Sequence, residues 1–215
     1  MSNVILQGLK EGVDRHWRYT KNFLKVKPEY LLTVSVADKI SNCGFNQTSG
    51  FELSVQLEHT TGRIIGDIWE KNLEFKNLMK PDLKWGRHHH SLFKPTVKWP
   101  TRRGKVDIYI QNEYCDESYI VELKNFNPSN RGIKEDLQRL KEFLDITPKT
   151  SPLKSCFLAF PSTEDKQKSL NRCAQEYGSS NFCISTEIQY EITGEDPEHG
   201  IPAYYCNIVI MTRYF

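Results

Sequence analysis

Three charged residues stand inside two runs that otherwise read as buried strands. The first run is Arg103-Gly104-Lys105-Val106-Asp107-Ile108-Tyr109-Ile110; after a polar turn comes Tyr119-Ile120-Val121-Glu122-Leu123-Lys124-Asn125. In a strand, residues two apart share a face. Glu122 and Lys124 therefore project together, with Val121 and Leu123 on the other side. If the runs pair as a hairpin, Asp107 reaches the same small volume. Two carboxylates and an ammonium at a sheet end can hold a hard divalent cation and position a water molecule. The plain alternative is a cross-strand salt bridge on a solvated face. Against it, the flanking residues have the near-continuous apolar character of strands covered on both faces. Charges there are costly unless they are partnered or bound to metal.

The surrounding chain supplies elements to position these residues. Phe51, Leu53, Val55 and Leu57 alternate with Glu52, Ser54, Gln56 and Glu58, a half-buried strand over 51–58. Upstream, Val4, Ile5, Leu9, Val13 and Trp17 have helical spacing, and a first helix is expected over about 4–23. The stretch 30–40 is ambiguous by composition. Its β-branched residues argue strand, but Leu31, Val34, Ala37 and Ile40 fit one helical stripe behind Pro28, and helix is the reading adopted. Residues 64–79 read as a helix, and 81–104 as loop. After the hairpin, Asn127-Pro128-Ser129-Asn130 is a turn. Residues 131–145 form an amphipathic helix with Ile133, Leu137, Leu140, Phe143 and Leu144 inward. A short strand at 155–160 ends at Pro161. Ser162-Thr163-Glu164 predicts a cap for a helix reaching Tyr177, stopped by Gly178. Strands over 182–192 and 203–214 complete the order. The expectation is an α/β chain around one mixed sheet flanked by helices.

With those elements in view, Asp107, fourteen residues, then Glu122-Leu123-Lys124 resembles the PD-(D/E)XK, or restriction-endonuclease-like, nuclease superfamily. In that superfamily a helix precedes a three-stranded meander carrying the acid and the E-x-K, and a further helix crosses over to another strand. The resemblance spans roughly residues 29–160 and implies a restriction-endonuclease-like core. Val106 stands where the family name has proline, a departure many members share. The resemblance implies that Asp107, Glu122 and the backbone carbonyl of Leu123 bind Mg²⁺, with Mn²⁺ able to substitute. Lys124 would orient or deprotonate the attacking water, and the product would carry a 5′-phosphate. A further acid on the first core helix is usual in the family, and Glu29 is the candidate. Glu52 and Glu58 on the neighbouring strand, and Lys134 and Gln138 on the following helix, are weaker ones.

The charge distribution points to a polyanionic partner. Between Lys76 and Lys105 nine basic residues face one acid, Asp82, a local +8; the remaining 20 basic and 26 acidic residues give −6. The basic stretch interleaves Trp85, Phe93 and Trp99 with its cations. Lys84, Trp85, Arg87, Lys98, Trp99, Arg102, Arg103 and Lys105 are the expected nucleic-acid contacts, cations for phosphates and rings for unpaired bases. The tract His88-His89-His90 is a weak metal candidate, because consecutive residues cannot all face one ion in regular structure.

The 215 residues suit a single nuclease domain over 1–215 carrying a helical and basic insertion at about 62–104. No apolar run is long enough to span a bilayer, and no signal peptide is recognisable. Six cysteines without a C-x-x-C pair favour reduced thiols and a cytoplasmic setting. The expected activity is metal-dependent hydrolysis of phosphodiester bonds in nucleic acid, DNA before RNA, by a possible homodimer or with an accessory protein. Two alternatives stay open: a non-catalytic nucleic-acid-binding or protein-interaction module on the same fold, and a metal-dependent nucleotide phosphohydrolase. The absence of a Gly-rich phosphate loop counts modestly against the second.

Overall fold

The computed structural model describes residues 1–21, 28–45, 53–71, 104–112, 115–147, 151–178, 182–191 and 203–214. In chain order these form α1 (Ser2–Thr20), α2 (Glu29–Phe45), β1 (Leu53–Thr60), α3 (Thr61–Lys71), β2 (Lys105–Asn112), β3 (Glu117–Leu123), α4 (Asn130–Ile146), β4 (Leu153–Ser162), α5 (Gln167–Tyr177), β5 (Phe182–Glu191) and β6 (Tyr204–Arg213). The six strands make one mixed sheet in the order β1-β2-β3-β4-β6-β5. β1, β2 and β3 are an antiparallel meander, β3 and β4 are parallel across α4, and β6 pairs antiparallel with both β4 and β5.

Apolar side chains cover both faces of the sheet. On one face Val106, Tyr109, Ile120, Leu158 and Val209 meet Ile64, Ile65 and Ile68 of α3, Ile133 to Leu144 of α4, and Leu170 and Cys173 of α5. On the other, Ile108, Ile110, Val121, Leu123, Phe157 and Ile208 meet α1 and α2. Burial of both faces explains why β2 and β3 read as nearly unbroken apolar runs.

The ambiguous stretch at 30–40 is helical. Leu32, Val36 and Ile40 are fully buried at helical spacing, facing the α1 stripe Ile5, Leu9 and Val13. The two helices come unusually close. A Cβ at Gly8 would lie 2.6 Å from the Val36 Cα, so α1 carries glycine where side chains normally keep helices apart. Lys21 ends α1 in the left-handed conformation (φ 50°) and donates its N–H to the Trp17 carbonyl.

The structure departs from the sequence reading at several boundaries. The helix expected over 64–79 begins earlier, at Thr61, and is described to Lys71. Its Ile64, Ile65 and Ile68 belong to the core, so the expected insertion from about 62 opens with a core helix. The cap expected at Ser162 is not one. Ser162 closes β4 and gives its hydroxyl to the Glu164 carbonyl at 2.7 Å, and α5 starts at Gln167 behind Asp165, whose carboxylate accepts the Gln167 N–H. β4 also continues through Pro161. The Pro161 carbonyl accepts from Asn127 beyond the end of β3, so the missing proline N–H falls where no strand remains to receive it.

Candidate active site

The chemistry-bearing residues gather at one end of the β2–β3 hairpin. The last paired residues there are Ile108 and Val121, and one step further lie Asp107 and Glu122. The hairpin opens at that step. Asp107 Oδ2 accepts the Leu123 N–H at 2.6 Å, replacing the ladder bond with a side-chain bond. On the other flank of β2, Glu58 has φ 49° and the β1–β2 register passes over the Glu58–Asp107 step. Val106 then packs on the same face as Tyr109, where strict alternation would put it on the other. Asp107 therefore sits at a local irregularity of the sheet, a place where strands commonly re-aim side chains.

Glu122 is nearly dry, 3% exposed, although it is ionisable. Its Oε1 lies 2.9 Å from Arg139 Nη1 of α4, an ion pair whose angles fall short of a hydrogen bond. Two residues on, Lys124 Nζ lies 2.7 Å from Asp136 Oδ2, also from α4. Asp136 is 1% exposed. Glu29, in the first turn of α2, accepts a 2.8 Å hydrogen bond from the Asn125 amide, and its charge is felt by Lys124. The structure thus brings Asp107, Glu122, Lys124 and Glu29 to one end of the sheet, with Leu123 between the central pair.

The electrostatics are those of crowded, buried acids. Burial pushes the Glu122 carboxyl well above the usual range; Arg139 opposes this, while the charges of Asp107 and Asp136 add to it. Burial likewise raises Asp107, against the Leu123 N–H, a hydrogen bond with Glu122 and the charge of Lys124. For Lys124, burial alone would lower the ammonium, but the hydrogen bond and charge of Asp136, helped by Glu29 and Glu122, raise it. Fully ionised, the cluster holds four carboxylates (Glu29, Asp107, Glu122, Asp136) against two cations (Lys124, Arg139). That state would leave two negative charges over, and burial together with the mutual repulsion of Asp107, Glu122 and Asp136 opposes it.

Sequence reasoning passed over Asp136 and Arg139 and favoured two neighbours. Lys134 instead pairs with Glu176, and Gln138 with Glu142. A signal was present. Asp136 lies three residues after Ile133 and four before Leu140, and Arg139 lies four before Phe143, so both charges fall on the buried stripe of α4. A charge on an apolar stripe calls for a buried partner. Asn125, which carries Glu29, was also overlooked.

The other expectations fall elsewhere. Glu58 is exposed and pairs with Lys105 at 2.7 Å. Lys105 is the described member of the expected nucleic-acid contacts, and its backbone carbonyl accepts from Arg139. Lys84, Trp85, Arg87, Lys98, Trp99, Arg102 and Arg103, together with Glu52 and the histidine tract, lie outside the described residues. All six cysteines are free thiols. Among the described residues no group of three or more His, Cys, Asp and Glu side chains is placed to hold a metal ion, and no helix is long and apolar enough to cross a membrane.

No protein-family model, curated protein or solved structure matches this chain.

Proposed function

We propose that this chain is a metal-dependent nuclease of the restriction-endonuclease-like kind, which hydrolyses phosphodiester bonds of nucleic acid, DNA in the first instance, and leaves a 5′-phosphate. The observation that carries the reading is the convergence at one sheet end of Asp107, whose carboxylate accepts the Leu123 N–H, the nearly dry Glu122 and the Lys124 ammonium, steered by Asp136. Supporting it is the element order: a helix, an antiparallel meander bearing Asp107 and Glu122, then a crossover helix to a parallel strand.

The donor set suits Mg²⁺. A hard cation takes carboxylate and carbonyl oxygens, and Mg²⁺ commonly uses one or two carboxylates and keeps several waters. Asp107, Glu122 and the Leu123 carbonyl would hold it, with Mn²⁺ able to replace it. Bound there, such an ion would neutralise the anionic phosphodiester and lower the pKa of water. The protein's own residues would do the rest. Lys124, kept charged and steered by Asp136, would orient the attacking water and offset charge developing on the phosphate. Glu29 would act from the α2 side, holding Asn125 and facing Lys124. Arg139 would compensate Glu122. The basic stretch 76–105 would carry the polymer, and a second copy or an accessory protein would supply any sequence preference.

A second reading has one observation in its favour. Among the described residues no three-ligand group is assembled, and both Glu122 and Lys124 already have partners on α4. That arrangement would also suit a non-catalytic nucleic-acid-binding module. One assay separates the two. Supercoiled plasmid, linear duplex, single-stranded DNA and RNA are incubated with purified protein in Mg²⁺, in Mn²⁺ and in EDTA, beside Lys124→Ala. Metal-dependent cutting that the substitution lowers about 100-fold or more is the expected result. Salt-sensitive binding without cutting of any substrate, equal in both proteins, would support the binding module.

A further inference from the structure

Arg139 reaches the site from α4 and is held at two points. One guanidinium nitrogen lies 2.9 Å from Glu122 Oε1, and another donates to the carbonyl of Lys105, the first residue of β2. Both side chains of the pair are nearly dry, 6% and 4% exposed. Lys124 differs. Its ammonium is matched to Asp136 rather than to either acid expected to ligate metal. The two cations of the cluster therefore do different work: Lys124 stands beside the expected ligands, and Arg139 stands on one of them.

We propose that Arg139 is a resident counter-ion which a divalent cation must displace from Glu122, so that α4 tunes the metal affinity of the sheet end. This rests on the nuclease reading, in which Glu122 is a metal ligand. The physical ground is exclusion. A buried carboxylate oxygen in contact with a guanidinium cannot also give its full charge to a metal, and two cations a few ångströms apart at low dielectric repel strongly. With metal absent, the pair keeps Glu122 from standing as a buried, uncompensated anion, which is strongly destabilising. With metal bound, the guanidinium has a place to go. Arg139 also lines an open cleft along α4 together with Glu135 and Glu142, four residues before it and three after, which pair with Arg131 and Gln138 respectively.

Isothermal titration of Mn²⁺ and of Mg²⁺ into wild type, Arg139→Met and Lys124→Met tests this without recourse to turnover. Each substitution removes one positive charge, so general electrostatics treats them alike. Displacement does not: Arg139→Met is expected to bind metal about tenfold tighter than wild type, and Lys124→Met to gain roughly threefold or less. Melting curves should agree, with Arg139→Met melting lower than wild type in EDTA and rising more on metal addition. Equal gains in the two variants, or no tighter binding in Arg139→Met while wild type binds metal, overturns the displacement and leaves the nuclease reading standing. Absence of metal binding in wild type and variants alike overturns both. If circular dichroism finds Arg139→Met unfolded, Arg139→Lys decides. It keeps the charge but loses the fork that spans Glu122 and Lys105, and part of the affinity gain is expected; an affinity equal to wild type overturns the proposal.

Discussion

Asp107 does two things with one carboxyl group. It receives the Leu123 N–H where the β2–β3 ladder opens, and it adds a negative charge beside Glu122. An asparagine can do the first without the second. The folded-state pKa values of Asp107 and Glu122 are both raised above their ordinary values of 3.8 and 4.5, by burial before any other cause. A raised carboxyl binds more protons folded than unfolded. Its contribution to stability is whole below the ordinary value and is lost as pH rises through the raised one. Asp107→Asn should therefore stabilise the metal-free protein at pH 7 by about 1 kcal/mol, seen as a melting temperature roughly 2–4 °C higher. The gain should fade as the pH approaches 4, and cleavage should be lost. Melting curves in EDTA at both pH values check this; a variant less stable than wild type at pH 7 would mean that the charge itself holds the strand end together.

At the scale of elements, the site depends on how α2 and α4 seat against opposite faces of the sheet. α2 delivers Glu29 to Asn125, and α4 delivers Asp136 and Arg139 to Lys124 and Glu122. α2 is seated through α1, where the two glycines of the contact are not equivalent. A Cβ at Gly8 would meet the Val36 backbone at 2.6 Å, whereas at Gly12 the nearest atom is the movable Leu32 Cδ2 at 3.0 Å. Gly8→Ala is expected to cost about 1–3 kcal/mol, as overpacking does, despite the better helix propensity of alanine. Gly12→Ala should cost less, because the Leu32 side chain can move and the nearest backbone atom, Leu32 Cα at 3.2 Å, needs to give only slightly. Chemical denaturation of the two variants measures the difference, and equal losses would contradict it. The boundary errors belong to this scale too. Ser162 has the residue type of a helix cap, yet β6 claims it as the last rung of β4 through its pairing with Tyr205. Pairing partners distant in sequence decided that boundary, and local spacing could not.

For the whole molecule, the buried acid cluster is a cost of folding that ligand binding can offset. A cation that binds the folded chain alone stabilises it by mass action. Mg²⁺ at a hundredfold its dissociation constant should add about 2.7 kcal/mol, which for a chain of this length is roughly 5–10 °C in melting temperature. Glu122→Ala should abolish the response, and EDTA should reverse it in wild type. A wild-type melting curve indifferent to Mg²⁺ and Mn²⁺ across millimolar concentrations would count against the metal. The charge asymmetry acts at the same scale. Along the sequence, residues 76–105 carry +8 and the rest −6, and under the proposed function that basic stretch would steer the polyanion.

Much of the fold was legible from local pattern. The period-two run of β1, the nearly unbroken apolar runs of β2 and β3, the helical stripes of α1 and α4, and the common face of Glu122 and Lys124 follow from local pattern, because side-chain direction repeats with the backbone period. Glu29 was reachable by analogy of position. Tertiary structure alone decided which charge answers which. The sequence places Asp136 and Arg139 on the apolar stripe of α4 but does not say that one meets Lys124 and the other Glu122. That depends on the crossover from β3 to β4 and on the seating of α4 over the sheet. Nor could spacing reveal the left-handed Glu58 and the single step that the β1–β2 pairing passes over, where Asp107 turns to Leu123. Both are long-range outcomes. A charge is tolerated in the interior only where packing brings a partner to it, and packing is settled by contacts between segments far apart in the chain.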